Sequence, residues 1–125
     1  METKGLSEST ICCFGDSTTW GDNGCGGGGN AISWTSHLGA LLGGATVENF
    51  GIKGSRIAIK ADRADSFVER LGGIDDAADI YIVFGGVNDF SRNVPLGQLD
   101  STDVHEFYGA LDYLIRTITA RSPQA

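Results

Sequence analysis

Ile11-Cys12-Cys13-Phe14-Gly15-Asp16-Ser17 joins an unbroken apolar run to a glycine, a carboxylate and a hydroxyl. Apolar residues without polar alternation suit a strand whose sheet is covered on both faces. The pattern predicts a strand over residues 10–14, a tight turn at Gly15-Asp16, and Ser17 at the exit. A stronger run, Asp79-Ile80-Tyr81-Ile82-Val83-Phe84, leads in the same way into Gly85-Gly86-Val87-Asn88-Asp89. Both exits place polar groups where the backbone must turn.

The segments between these runs read as helices and one weaker strand. Trp34, Leu38, Leu41 and Leu42 recur at helical spacing, with Ser33 placed to cap the start and Gly43-Gly44 the end. Residues 45–49 read as a strand in which Val47 alone has strong β character, leaving through Asn49-Phe50-Gly51-Ile52-Lys53-Gly54-Ser55. Ser55 is expected to cap a second helical region carrying Phe67, Val68 and Leu71 and closed by Gly72-Gly73. Asp103 and Glu106 have capping-box spacing before a final stripe of Phe107, Leu111, Leu114, Ile115 and Ile118, which Pro123 ends.

This alternation of strand and helix implies an α/β domain with right-handed crossovers and a largely parallel sheet between helical layers. The last helix of such a plan leads into another strand, so the sheet is expected to be cut short after about three strands. Residues 21–30, rich in glycine, are expected to be mobile, either as a rim or lid beside the site or as a plain surface connection. They lack the Lys-Ser/Thr ending of a phosphate-binding loop.

Composition narrows the function classes. At 125 residues, 41% hydrophobic and 20% charged, residues 1–125 form one globular domain. A net charge of -7, with nine Lys and Arg and no basic run, argues against a nucleic-acid partner. No apolar stretch approaches the roughly 20 residues of a membrane span. Met1 to Glu8 shows no basic segment followed by an apolar core, so a cytoplasmic location is expected. Cys12, Cys13 and Cys25 form no CxxC pair and have no histidine near them, which points to packed or incidental thiols and to no metal.

Three positions carry candidate chemistry. Ser17 offers a hydroxyl, which is weakly nucleophilic until a base removes its proton. Asn88 offers a side-chain N–H for a developing oxyanion, and Gly51 offers a backbone amide with room for close approach. Each also has a plain reading, as a helix cap for Ser17 and Asn88 and as a turn residue for Gly51. His37 lies in the first helical stripe region without a carboxylate nearby, and His105 follows Asp103 at the start of the last helix.

The set resembles the SGNH hydrolases, also called GDSL-type esterases or lipases. Gly15-Asp16-Ser17 is similar to their first block, Asn49-Phe50-Gly51 with Gly54 beyond it to their second, and Gly86-Val87-Asn88-Asp89 to their third. The resemblance implies a flavodoxin-like three-layer α/β/α sandwich, with Ser17 as nucleophile. It also implies an oxyanion hole made by the Ser17 amide, the Gly51 amide and the Asn88 side chain. Asp16 and Asp89 would organise loops, and no cofactor is implied. The implied substrate is a small acyl ester, acylated carbohydrates included.

One block is missing. The family's Asp-x-x-His, which supplies the general base, has no counterpart here. The alternative is therefore a noncatalytic ligand-binding module or an inactive hydrolase fragment. A dinucleotide site is disfavoured because the first strand exits through Gly-Asp-Ser and not Gly-x-Gly-x-x-Gly. The sequence specifies no oligomeric state.

Overall fold

The computed structural model describes residues 4–74 and 77–125. Strand β1, Thr10–Gly15, lies at the centre of a parallel three-stranded sheet, between β2 (Thr46–Gly51) and β3 (Ile80–Phe84). The spatial order β2-β1-β3 opens the 2-1-3-4-5 order of flavodoxin-like sheets. The architecture is therefore a flavodoxin-like sandwich with three strands among the described residues.

Alternation along β1 builds the two outer layers. Ile11 and Cys13 face Ala45, Trp34 and Leu38, beneath helix α2 (Thr35–Leu41). Cys12 and Phe14 face the other way, against Phe67, Leu71, Ala110 and Leu114. Phe67 opens helix α3 (Phe67–Arg70), while Ala110 and Leu114 belong to helix α5 (Phe107–Arg121). The Phe14 and Phe67 rings lie 4.6 Å apart, so the first run is buried on both sides, as its unbroken apolarity requires.

Register matters most for the site. Gly15 is level with Gly51 in β2 and with Phe84 in β3, so all three strands finish at one edge of the sheet. Their exits lead into the short helix α1 (Ser17–Trp20), the loop after Gly51, and helix α4 (Val87–Ser91). Carboxyl ends of parallel strands are where such sheets bind ligands.

Local expectations fared unevenly. Thr35 N–H donates to Ser33 Oγ at 3.2 Å, while Gly43 and Gly44 end α2 with positive φ. Ser55 caps no helix. Residues 52–65 contain none, and α3 is capped instead by Ser66, whose Oγ accepts from Glu69 N–H while the Glu69 carboxylate accepts from Ser66 N–H. Asp103 and Glu106 form no capping box, because the Asp103 carboxylate turns to His105 N–H and α5 begins only at Phe107. The glycine run closes on itself through an Asp22–Gly28 bridge, and Asn23 Oδ1 accepts from the Cys25 and Gly27 amides.

Side chains hold the long β2–α3 connection. Arg56 grips Asp62 through two hydrogen bonds of 2.8 and 2.6 Å, which hold the Asp62 carboxyl down at about 2. Lys53, Arg63 and Lys4 likewise lower Asp22, Asp65 and Asp79 through hydrogen bonds. Carboxyls depressed in the folded state stabilise it above their unfolded range and lose that contribution as pH falls through the folded values. Urea midpoints should therefore decline between about pH 4 and pH 2, and Arg56→Met should flatten part of that decline. A midpoint independent of pH across this window would contradict the ion-pair account.

Candidate active site

Ser17 is the first residue of α1, and its position follows from its neighbours. Asp16 caps the helix by accepting Thr18 N–H at 3.1 Å, and Gly21, at φ 102°, ends it one turn later. Gly15 has to be glycine, since a Cβ there would overlap the Thr19 side chain. Ser17 is half-buried, and neither its hydroxyl nor its N–H has a hydrogen-bond partner among the described residues. Burial raises the Asp16 carboxyl, and the charge of Asp89 adds to this, against the lowering effects of Thr18 N–H and Arg70.

The β3 exit holds the next group in place. Gly86, at φ 114°, turns the chain into α4, which carries Asn88 and Asp89. Asn88 Nδ2 donates to the Ser55 carbonyl at 2.9 Å, leaving its second hydrogen for another acceptor. The Asp89 carboxylate, 2% exposed, accepts the Ile57 and Ala58 amides at 2.8 and 3.0 Å. Together the two residues fasten the β2–α3 connection to the end of β3.

Gly51 behaves differently from its sequence reading. Its N–H donates to Asn49 Oδ1 at 2.9 Å, and a Cβ there would overlap the Trp20 amide. The space left by the missing side chain is filled by α1 and is not open to a ligand. Asn49 is itself held by the Thr19 carbonyl, at 2.7 Å from Nδ2. Three residues on, Gly54 adopts φ 77°, and its N–H has no acceptor among the described residues.

The histidines do not complete a relay. His37 is exposed on α2, and His105 is exposed with Nδ1 2.9 Å from Asp103 Oδ1. No hydrogen bond joins either ring to Ser17 among the described residues. Cys12 and Cys13 are buried in the sheet, where burial pushes the Cys13 thiol up to about 11, and Cys25 is exposed and free. No cluster of three or more His, Cys, Asp or Glu suited to a metal occurs among the described residues.

Shallow clefts flank the strand ends. One, of about 360 Å³, is lined by Trp20, Asn30, Val47, Asn49 and Gly51 on the β2 side. Another, of about 480 Å³, is lined in part by Phe50, Gly51, Ile52 and Arg70, and a third, of about 410 Å³, lies beside α4 and is lined in part by Gly86, Phe90, Leu96 and Phe107. The tertiary fold gathers the apolar residues beside α4 from three separate segments, so their proximity to Asn88 left no local trace in the sequence. Ser55 and Arg70 were missed as site residues for the same reason.

The family model for GDSL-like lipases and acylhydrolases matches residues 13–125. The chain belongs to this family. Among solved structures, one crystal structure is 91% identical with a TM-score of 0.95, over 98% of this chain and 56% of that one. A Lactobacillus plantarum protein is 33% identical with a TM-score of 0.76, over 94% of this chain and 53% of its own. A carbohydrate acetylesterase family member from Sinorhizobium meliloti is 26% identical with a TM-score of 0.65, over 89% and 52%. The chain thus spans about half the length of each of these three structures. No curated protein matches it significantly. In this GDSL-like chain the Gly15-Asp16-Ser17 block and the Gly86-Val87-Asn88-Asp89 block meet at one sheet edge. No helix among the described residues is long and apolar enough to cross a membrane.

Proposed function

We propose that this segment supplies the nucleophile and oxyanion donors of a serine-dependent carboxylic ester hydrolase. The observation that carries the reading is Ser17, whose hydroxyl and amide are both unengaged at a strand end level with the one that delivers Asn88. Ser17 Oγ attacks the acyl carbonyl and gives up its proton, and the carbonyl oxygen gains charge that preorganised donors stabilise. The tetrahedral intermediate collapses, the C–O bond to the alcohol breaks, and the alcohol leaves with a proton. Water then releases the acid from acyl-Ser17.

The base that moves these protons is neither His37 nor His105, since neither contacts Ser17. We assign it to the Asp-x-x-His block of a longer parent protein. The segment alone is a half-site that binds an ester without efficient turnover. The Sinorhizobium meliloti relative supports a small acyl ester, acetylated carbohydrates included, as the substrate class.

The oxyanion donors are the Ser17 amide, the Asn88 side chain and a glycine amide. Gly51 serves only if Asn49 releases its N–H, whereas the Gly54 amide is already free, and this favours Gly54. The test is a brief reaction of the parent protein with an activated acetyl ester, followed by peptide mass analysis. One acetyl group on Ser17 is expected, and an unmodified Ser17 during turnover would refute the reading. In a boronate adduct of the same protein, the Gly54 amide proton should shift downfield and that of Gly51 should not.

A further inference from the structure

We infer that Arg70 is a positioning residue for this site, a single half-buried guanidinium that ties together the three loops carrying the nucleophile and the oxyanion donors. The inference rests on the proposed ester hydrolysis for its meaning, but its geometry stands independently. Arg70 Nη2 donates to the Gly15 carbonyl at 3.0 Å, one peptide before Asp16-Ser17. Nη1 donates to the Phe50 carbonyl at 2.8 Å, one peptide before Gly51. Nη2 also donates to Ser55 Oγ at 2.9 Å, and Ser55 is the residue whose carbonyl receives Asn88 Nδ2. Nε closes the set on the Asp65 carbonyl at 3.0 Å.

Every one of these partners is a neutral oxygen. Arg70 forms no salt bridge among the described residues, although a cation withdrawn even partly from water ordinarily takes a carboxylate partner. Its plane is held by aromatic faces instead, with Phe14 and Phe67 centroids 4.7 and 5.2 Å away. Desolvation lowers its pKa to about 10, which still leaves a cation at neutral pH. A positive charge, offset in part by the nearby carboxylates of Asp65 and Asp16, therefore lies beside the strand ends where the oxyanion would form. Its field favours that charge, and hydrogen bonds to the carbonyls polarise the peptides that lead into the site.

The fork geometry is essential to this role. A guanidinium presents five donors in one plane, whereas an ammonium is a compact charge with three rotatable donors. Lysine keeps the charge but cannot reach Gly15, Phe50 and Ser55 together. Arg70→Lys is therefore the informative variant, with Arg70→Ala as its partner for chemical rescue.

In the parent protein, both variants should lower kcat by about 10–100-fold, the cost of misplacing reacting groups by roughly an ångström. KM should change little, and ethylguanidinium, but not ethylammonium, should restore the Ala variant. Wild-type kcat in folded Arg70→Lys would overturn the inference, as would equal rescue by the two amines. A parent protein with no Ser17-dependent hydrolysis would sink the functional reading instead. The positional claim is then tested on this chain by amide NMR. Arg70→Lys should shift the Ser17, Gly54 and Asn88 side-chain resonances while leaving those at Ile11 and Val47 in place. Unchanged site resonances would overturn it.

Discussion

Ser17→Ala in the parent protein should reduce kcat/KM for an activated acetyl ester by about 10⁴–10⁶-fold, the usual consequence of deleting a serine nucleophile. Folding should hardly change. The Ser17 hydroxyl has no partner to lose among the described residues, and the cap of α1 comes from Asp16. Circular dichroism and the thermal midpoint should therefore match wild type, with any loss within about 0.5 kcal/mol. His37→Ala and His105→Ala should retain full activity, since neither ring contacts Ser17. A Ser17→Ala enzyme within tenfold of wild type would move the nucleophile elsewhere.

Asp89→Ala should destabilise the chain by about 2–6 kcal/mol, because removing the carboxylate strands two buried amide donors at about 1–3 kcal/mol each. Those donors are Ile57 and Ala58 N–H, in residues that are 2% and 0% exposed. Asp89→Asn keeps one carbonyl acceptor but turns an amide donor toward the other N–H, so it should recover only part of the loss. Urea denaturation of the three proteins measures the series. A loss below about 1 kcal/mol in Asp89→Ala would show that the Ile57–Ala58 turn is held by packing and not by its carboxylate.

The same carboxylate shows where reading the sequence reaches its limit. Next to Asn88, Asp89 could be recognised as a turn residue, but its partners lie more than thirty positions away. Ser55 had the composition of a helix cap, yet the chain from 52 to 65 stays irregular because Arg56, Asp62 and Asp89 hold its backbone in other ways. The helix began only where Ser66 and Glu69 could satisfy each other's amides. Local capping signals compete, and tertiary hydrogen bonds choose between them.

The apolar runs before Gly15 and Gly85 carried the α/β plan on their own. Strand β1, buried on both faces, must be apolar throughout, and this requirement is visible residue by residue. Strand β3 is equally apolar yet ends in the exposed Val83 and Phe84. The order of Gly15-Asp16-Ser17, Asn49-Phe50-Gly51 and Gly86-Val87-Asn88-Asp89 likewise carried the family. Which glycine keeps a free amide, and which cation lies beside the strand ends, could not be read in this way. Gly51 and Gly54 differ through Asn49 and Trp20, and Arg70 gains its role from carbonyls at Gly15 and Phe50. Hydrogen-bond occupancy depends on what folding brings near, and spacing along the chain does not encode it.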